Sequence, residues 1–188
     1  MKNFIKYIGV VSVCLLLVIM LPVLVLAEGP PNDNFADAEE ISGRSGTVTG
    51  SNAGADTEVG EPTHGSYGDK YTVWWKWTSP VNGTATFNIN GSSIHYGVIL
   101  AVYTGSSVSE LNYVADALIQ IQPNAEFSVT RGTTYYITVA GCSFWEETYG
   151  TIVYGDIVLN WNVEMLTPEV YEWPDSATAI IYGDPLSA

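Results

Sequence analysis

The stretch that decides the fold is YTVWWKWTSPVNGTATFNIN, residues 71–90. Every second residue from Tyr71 to Trp77 is apolar, and the same alternation recurs in 84–90 (TATFNIN). The residues between the two segments, PVNG at 80–83, are typical of a turn. Because successive side chains of a strand point to opposite faces, this pattern predicts two strands that each bury one face.

On both sides of these two predicted strands, the chain consists of short apolar or alternating segments separated by Gly, Asn, Ser and Pro. A single helical turn is predicted at 34–40 (NFADAEE), with Asp33 or Asn34 as its cap. The continuous apolar run at Ile99–Val102 predicts a central strand that is covered on both faces. Strands at this spacing predict an all-β protein, an antiparallel β-sandwich whose two sheets bury alternate residues. The candidate strands are 46–51, 71–78, 84–90, 97–104, 111–118, 125–129, 134–140 and 151–161.

Composition excludes several classes of function. The 188 residues include 6 Lys and Arg against 20 Asp and Glu, which gives a net charge of −14. A nucleic-acid partner is not expected, because phosphates are bound by clustered Lys and Arg. Two His and two Cys residues are too few for the usual zinc sites. The 12 Tyr, 6 Trp and 18 Gly residues favour β-structure.

Residues 1–27 have the pattern of an export signal. Two lysines precede an apolar run, Tyr7–Leu26, and the small residue Ala27 would be the last one before cleavage. We therefore predict an N-terminal signal helix that is removed on export. The alternative is an uncleaved anchor, since the run is close to the roughly 20 residues that span a bilayer.

One domain is predicted in the mature chain, at 28–163. The linker prediction covers 164–175 (EMLTPEVYEWPD), which is rich in prolines and acids. Residues 176–188 contain the strand-like ATAIIY, and a single strand cannot bury its faces alone, so a further domain would begin there. Cys142 would be the one cysteine left after cleavage; we interpret it as a buried apolar residue, with a reactive thiol as the alternative.

The order of several short motifs resembles the bacterial pre-peptidase C-terminal type of secreted β-sandwich. The resemblance implies an accessory, non-catalytic, jelly-roll-like module of extracellular proteins, some of which bind calcium or adhere to polysaccharide or fibrous protein. The tail at 173–188 is similar to the opening strand of bacterial immunoglobulin-like repeats, which implies that such a repeat begins at 176. The matching motifs are PPNDNFADA (30–38), GTVTGSN (46–52), GEPTH (60–64), VWWKWTSPVNGTATF (73–87), LAVYTGSSVSEL (100–111), RGTTYYITVAG (131–141) and 150–161.

The sequence gives little support for catalysis. Neither His64 nor His95 lies in a nucleophile or metal motif, and no Gly-x-Ser-x-Gly or His-Glu-x-x-His string occurs. We interpret His64 as a loop residue beside Pro62 and His95 as a turn residue. The chain is therefore not expected to be an enzyme.

Clustered oxygen donors suggest a calcium site. Ca²⁺ takes six to eight oxygen ligands from carboxylates, amides and carbonyls. One group of such residues precedes the first strand, and a second lies in a Gly-rich loop that could fold back over it. The alternative is that Asp33 caps the short helix and the other acids are solvated. The candidate ligands are Asn32, Asp33, Asp56, Glu58, Glu61 and Asp69, and the resemblance points best to Asp33 and Asp69.

Exposed aromatic residues would provide a second kind of site, because flat rings stack on sugar rings. Trp74 points away from the predicted core, and the aromatic loop 143–149 (SFWEETY) carries two glutamates that suggest contact with solvent. The alternative is that Trp74 and Trp145 simply pack beneath neighbouring segments. The candidate ligand-binding residues are Trp74, Phe144, Trp145 and Tyr149.

These patterns predict a non-catalytic bacterial module for adhesion or domain spacing, secreted or displayed on the cell surface, with Ca²⁺ as its candidate cofactor. The alternative is a carbohydrate-binding accessory module of a secreted enzyme whose catalytic part is absent from this chain. The expected partners are neutral polysaccharide or an extracellular or surface protein, because an acidic surface repels anionic polysaccharides and lipids. Membrane contact is expected only through residues 1–27, if they are uncleaved, and the module itself is expected to be monomeric.

Overall fold

The structure is a computed structural model that describes residues 29–64, 69–94, 96–118 and 124–165. The predictions for the signal segment, for His95, for most of the linker and for the tail at 176–188 lie outside these residues. No helix within the described ranges is long and apolar enough to cross a membrane.

Nine strands lie in the described part of the chain, and they form two sheets. A 3-10 turn at Phe35–Asp37, a second at Val108–Glu110 and one short helix, α1 (Ser143–Tyr149), complete the elements there. The all-β sandwich predicted from the sequence is therefore confirmed. The strands are β1 (Glu39–Ile41), β2 (Ser45–Ser51), β3 (Asp69–Thr78), β4 (Gly83–Asn88), β5 (Val98–Thr104), β6 (Asn112–Leu118), β7 (Asn124–Val129), β8 (Thr134–Cys142) and β9 (Asp156–Met165).

The first sheet has the strand order β1-β3-β8-β5-β6, and the second has the order β2-β9-β4-β7. The paired strands are antiparallel except β1 and β3, which run parallel to each other. The two alternating segments of 71–90 belong to different sheets, because β3 lies in the first and β4 in the second. The turn at 80–83 therefore carries the chain across the sandwich.

The inner core lies between the two sheets and consists of aromatic and branched side chains. Trp75 and Trp77 of β3 point into it and are fully buried. The ring of Phe87, from β4, lies with its centroid 5.6 Å from that of Trp77 and 6.5 Å from that of Trp161. A Cβ at Gly46 of β2 would lie 2.3 Å from the Trp161 ring, so a glycine is required there. Burial of this much apolar surface is the main source of stability.

A second, smaller core lies on the outer face of the first sheet. It consists mainly of Trp74, Ile99, Ala101 and Tyr103 with Phe35 packed onto them. Two segments cover it, which we name the N-terminal strap (residues 29–38) and the acidic loop (residues 52–64). The run at Ile99–Val102 is therefore buried on both faces of β5, as its continuous apolar sequence predicts.

Several elements differ from the predictions. β1 and α1 were not predicted, because three residues are too few for a visible strand period and the seven residues of SFWEETY are too few for a repeating helical one. β9 begins at Asp156 rather than at 151 and continues to Met165. Tyr71 is only partly buried, because a register shift between Lys70 and Val73 and a positive φ of 55° at Tyr71 interrupt the alternation of β3.

Candidate functional site

The N-terminal strap lies against the edge of β3 and forms one side of the candidate site. The Asn32 side-chain amide donates to the Trp74 carbonyl oxygen (2.9 Å), and the Trp74 N–H donates to the Asn32 carbonyl oxygen (2.9 Å). The Phe35 ring packs on Trp74 and Tyr136, with centroid distances of 5.5 and 4.3 Å. No side chain caps the turn at 35–37. The predicted cap from Asp33 or Asn34 is therefore absent.

Two carboxylates tie the acidic loop to the strap, and a third braces the loop internally. Asp33 Oδ1 accepts a hydrogen bond from the Asp56 N–H (2.9 Å), and Glu58 Oε2 accepts one from the Phe35 N–H (3.0 Å). Glu61 Oε2 accepts from the Glu58 N–H (2.8 Å) within the loop. The loop therefore folds back over the strap, and these acids satisfy backbone donors rather than standing free in solvent.

His64 lies at the end of the acidic loop and is fully buried. Its Nδ1 lies 2.7 Å from the Tyr103 hydroxyl, and its Nε2 lies 3.1 Å from Glu61 Oε1. The His64 N–H donates to Asp69 Oδ2 (2.7 Å). His64 is therefore a loop residue, as predicted, but one that anchors the loop to β5 through Tyr103. No local pattern indicates this contact, because Tyr103 is distant along the chain.

Considering the described residues alone, four polar side-chain atoms on the outer face of the first sheet are buried without a hydrogen-bond partner. They are Asp69 Oδ1, Thr72 Oγ1, Trp74 Nε1 and Thr138 Oγ1. Trp74 and Thr138 are direct cross-strand neighbours, and Thr72 precedes Trp74 on the same face of β3. An unpaired buried polar group costs about 1–3 kcal/mol, so these atoms lower the stability of the outer face relative to a fully apolar core.

The carboxylates of this region have raised pKa values. Burial raises the pKa of Asp33, the hydrogen bond from the Asp56 N–H partly opposes it, and the charges of Asp56, Glu61 and Glu58 raise it further. Burial also raises the pKa of Asp69, against the lowering by its hydrogen bond from the His64 N–H. The negative charge of the region is therefore incompletely compensated.

The six predicted calcium ligands surround the strap and the acidic loop, but their carboxylates mostly accept hydrogen bonds from backbone N–H groups. In the described ranges, no group of three or more His, Cys, Asp or Glu side chains is arranged to hold a metal ion. Asn32 uses its amide N–H on the Trp74 carbonyl oxygen. The assignment of these residues to a metal stays a prediction.

The aromatic segment 143–149 is the helix α1, and it lies at the end of the first sheet near Lys70. Lys70 Nζ lies 2.9 Å from Glu146 Oε2 and 3.1 Å from Glu147 Oε1. The hydrogen bond from Lys70 lowers the pKa of Glu146; burial opposes it, and the hydrogen bond from Tyr71 and the charge of Lys70 lower the pKa further. The helix ends at Gly150, whose φ of 64° allows the left-handed conformation of its cap.

The predicted aromatic ligand residues have different degrees of exposure. Phe144 and Tyr149 are exposed by 42% and 62%, and their rings lie 5.9 Å apart. Trp145 is half-buried against Tyr149, with a centroid distance of 5.1 Å. Trp74 is fully buried beneath His64 and Phe35, so it presents no face to a ligand and the exposed interpretation of Trp74 is wrong.

A shallow cleft on the outer face of the first sheet was not predicted. It has a volume of about 260 Å³ and is lined by Glu40, Lys76, Thr78, Thr134 and Tyr136. Lys76 Nζ lies 3.5 Å from Glu40 Oε2, and the Thr78 and Thr134 hydroxyl oxygens lie 2.9 Å apart. The cleft joins three strands that are far apart in sequence, so local patterns could not reveal it.

Two sheets packed over an aromatic core, with one outer face covered by a strap and a loop, define an all-β sandwich module. Among solved structures, the chain is similar to the pre-peptidase C-terminal domain of collagenase from Bacillus anthracis, with 16% sequence identity and a TM-score of 0.36. The match covers 68% of this chain and 94% of that domain, and the likeness concerns the fold only. No protein-family model matches the chain, and no curated protein matches it.

Proposed function

We propose that this chain is an exported, non-catalytic β-sandwich module for adhesion or domain spacing, and that Ca²⁺ stabilises it at the acidic loop. Its place of action is the cell surface or the extracellular space. The export pattern of residues 1–27 supports this location, because a basic start and an apolar run precede the sandwich.

The single observation that carries the calcium proposal is the uncompensated charge around Asp33 and Asp69. Asp69 Oδ1 is buried without a partner, and Asp33 uses only Oδ1, for the Asp56 N–H. Glu61 raises the pKa of both aspartates, so the two carboxylates belong to one electrostatic cluster. A hard cation that takes carboxylate and carbonyl oxygens would relieve this repulsion.

The non-catalytic part of the proposal is supported by the position of His64. A general base must reach a substrate within hydrogen-bond distance. His64 is fully buried, and both of its ring nitrogens already face Glu61 and Tyr103. Its role is therefore structural in this fold.

Thermal unfolding of the exported chain, with millimolar CaCl₂ and then with chelator, tests the calcium proposal. A ligand that binds only the folded state stabilises it by about 2.7 kcal/mol at a hundredfold excess over Kd. We expect Ca²⁺ to raise the melting temperature by several degrees, and Asp33→Asn combined with Asp69→Asn to abolish the rise. Glu126→Gln, at an exposed position of β7, is a control that removes a carboxylate away from the loop and should keep the full rise. Equal melting temperatures in calcium and chelator would contradict the calcium proposal.

A second candidate function is binding of neutral polysaccharide, and the exposed rings of α1 favour it. Phe144 and Tyr149 offer adjacent apolar faces, and the two glutamates beside them are paired with Lys70. Aromatic faces of this kind stack on sugar rings without any charge on the ligand. We expect Trp fluorescence to change on titration with a neutral polysaccharide, and Phe144→Ala with Tyr149→Ala to remove the change. No response across a panel of neutral polysaccharides would exclude this function.

A further inference from the structure

Strand β2 forms one edge of the second sheet, and no strand in the described ranges pairs with its outer edge. We propose that this edge pairs with β2 of a second copy of the chain, antiparallel across a two-fold axis, so that two four-stranded sheets become one continuous sheet. The pairing would link two modules side by side. It departs from the monomeric expectation, which considered the composition of the chain but not the edges of its sheets.

The two sheets end in four edge strands, β1, β6, β2 and β7, which differ in how well they are protected against pairing with a strand of another chain. β1 has only three residues, two of which are the exposed Glu39 and Glu40. β6 carries Asp116 and contains a register shift against β5, while β7 carries the exposed Glu126. β6 and β7 also lie beside each other, so each partly covers the other. Short length, charges and bulges are the usual protection of an edge strand against pairing.

Strand β2 has none of these protections. Its seven residues, SGTVTGS, contain no charge and no proline, and its register with β9 runs without a shift from Ser45 to Ser51. Its two glycines lie inward under Trp161 and Trp75, where a side chain would collide. The outer edge of β2 is therefore flat, uncharged and long enough to accept a strand.

The hydrogen-bond pattern between β2 and β9 shows which backbone N–H and C=O groups of β2 do not bond to β9. The Asn52 N–H donates to the Gly155 carbonyl oxygen, and the Val163 N–H donates to the Arg44 carbonyl oxygen. Bonded and non-bonded positions alternate along an antiparallel pair, so the even-numbered residues of β2 bond to β9. The odd-numbered residues, from Ser45 to Ser51, direct their N–H and C=O groups outward.

The sequence of β2 is a palindrome centred on Val48. An antiparallel pair with Val48 opposite its own copy places Thr47 opposite Thr49 and Ser45 opposite Ser51. In this register the outward N–H and C=O groups of the odd-numbered residues in one copy face those of the other copy. Each pair of odd-numbered residues can therefore exchange two backbone hydrogen bonds. Threonine pairs on one face are a favourable cross-strand combination, and the two Val48 side chains extend the inner core.

The interface is small, so the dimer should be weak in solution. A single strand pair buries less than the roughly 1,200–2,000 Å² of a stable interface. Each copy also carries a net charge of −14, which opposes association at low salt. We expect a concentration-dependent equilibrium that strengthens as ionic strength rises.

Sedimentation velocity of the full exported chain tests the dimer, over protein concentrations from ~10 μM to ~1 mM, where small interfaces dissociate. We expect the weight-average sedimentation coefficient to rise with concentration. Thr49→Lys should raise the dissociation constant at least about tenfold, because charged side chains block an edge. Ser128→Lys places the same charge on exposed β7 of the same sheet and should leave the constant within about twofold. Circular dichroism confirms that each variant is folded.

Cysteine substitution tests the register independently of affinity. Val48→Cys places two thiols directly opposite each other, within reach of a disulfide, and should form a covalent dimer on mild oxidation. Thr47→Cys should not link to itself, but a mixture of Thr47→Cys and Thr49→Cys chains should form the mixed dimer. A chain that stays monomeric to ~1 mM and does not cross-link through Val48→Cys would overturn the proposal. A dimer that is insensitive to both Thr49→Lys and Val48→Cys would use another surface and would also overturn it.

Discussion

The two cores of this sandwich differ in composition, although they share strands β3, β5 and β8. The inner core is closed by two sheets and filled by rings such as Trp75, Trp77 and Phe87, which are fully buried. The outer core is closed by the strap and the acidic loop, and its cover depends on polar contacts such as the one between His64 and Tyr103. The inner core therefore depends on apolar packing between sheets, whereas the outer core depends on contacts between segments that are distant along the chain.

The energetic reason for this difference lies in the polar groups. An apolar core gains free energy with every contact, whereas a buried polar group gains little when paired and costs about 1–3 kcal/mol when unpaired. The outer face holds four unpartnered atoms, among them Asp69 Oδ1 and Thr72 Oγ1. We therefore expect the strap and loop to open at lower free energy than the sheets.

The largest expected effect is in the inner core. Phe87→Ala removes a ring that contacts Trp77, Phe127 and Trp161, and we expect it to lower the free energy of unfolding by about 3–5 kcal/mol. Urea denaturation monitored by Trp fluorescence measures this loss. A loss below about 1 kcal/mol would show that the two sheets do not depend on this packing.

A smaller effect is expected when the outer core loses its main anchor. Phe35→Ala should lower the free energy of unfolding by about 2–3 kcal/mol, less than Phe87→Ala, because the strap covers the ring from one side only. Hydrogen exchange should accelerate chiefly in the strap and the acidic loop, while β4 and β9 keep their protection. Uniform acceleration across both sheets would contradict the separation of the two cores.

The sequence predicted the inner core far better than the outer one. Alternation assigned Trp75 and Trp77 to the inner face correctly, because strand period is a local property. It also placed Trp74 on the opposite face, but what covers Trp74 depends on Phe35 and His64, which come from other parts of the chain. Contacts between distant segments leave no periodic signal. The sequence therefore allowed Trp74 to pack beneath a neighbouring segment but did not identify Phe35 and His64 as its cover, and the cleft at Tyr136 was not predicted.

The polar anchor of the loop should have a smaller effect still. Tyr103→Phe removes the hydroxyl beside His64 Nδ1 and leaves a buried nitrogen without its partner, so we expect a loss of about 1–3 kcal/mol. Tyr113→Phe, on exposed β6, is the matched control and should change the free energy of unfolding by less than about 0.5 kcal/mol. Urea titrations of both variants make the comparison. Equal losses would mean that the His64 contact does not stabilise the loop.

The smallest expected effect is on the pH dependence of folding stability, and it arises from the carboxylates around the acidic loop. The pKa values of Asp33 and Asp69 are raised in the folded state, so the folded chain holds these protons more tightly than the unfolded chain. Their contribution favours folding at pH values below the ordinary aspartate pKa of 3.8 and is lost as pH rises through the raised values. We therefore expect the stability difference between wild type and Asp33→Asn with Asp69→Asn, in chelator, to shift towards the variant as pH rises from 4 to 7. Urea midpoints at each pH measure the difference, and saturating Ca²⁺ should reverse its sign if the cation binds these carboxylates. A difference that does not change with pH would mean that the two aspartates are as well solvated in the folded chain as in the unfolded one.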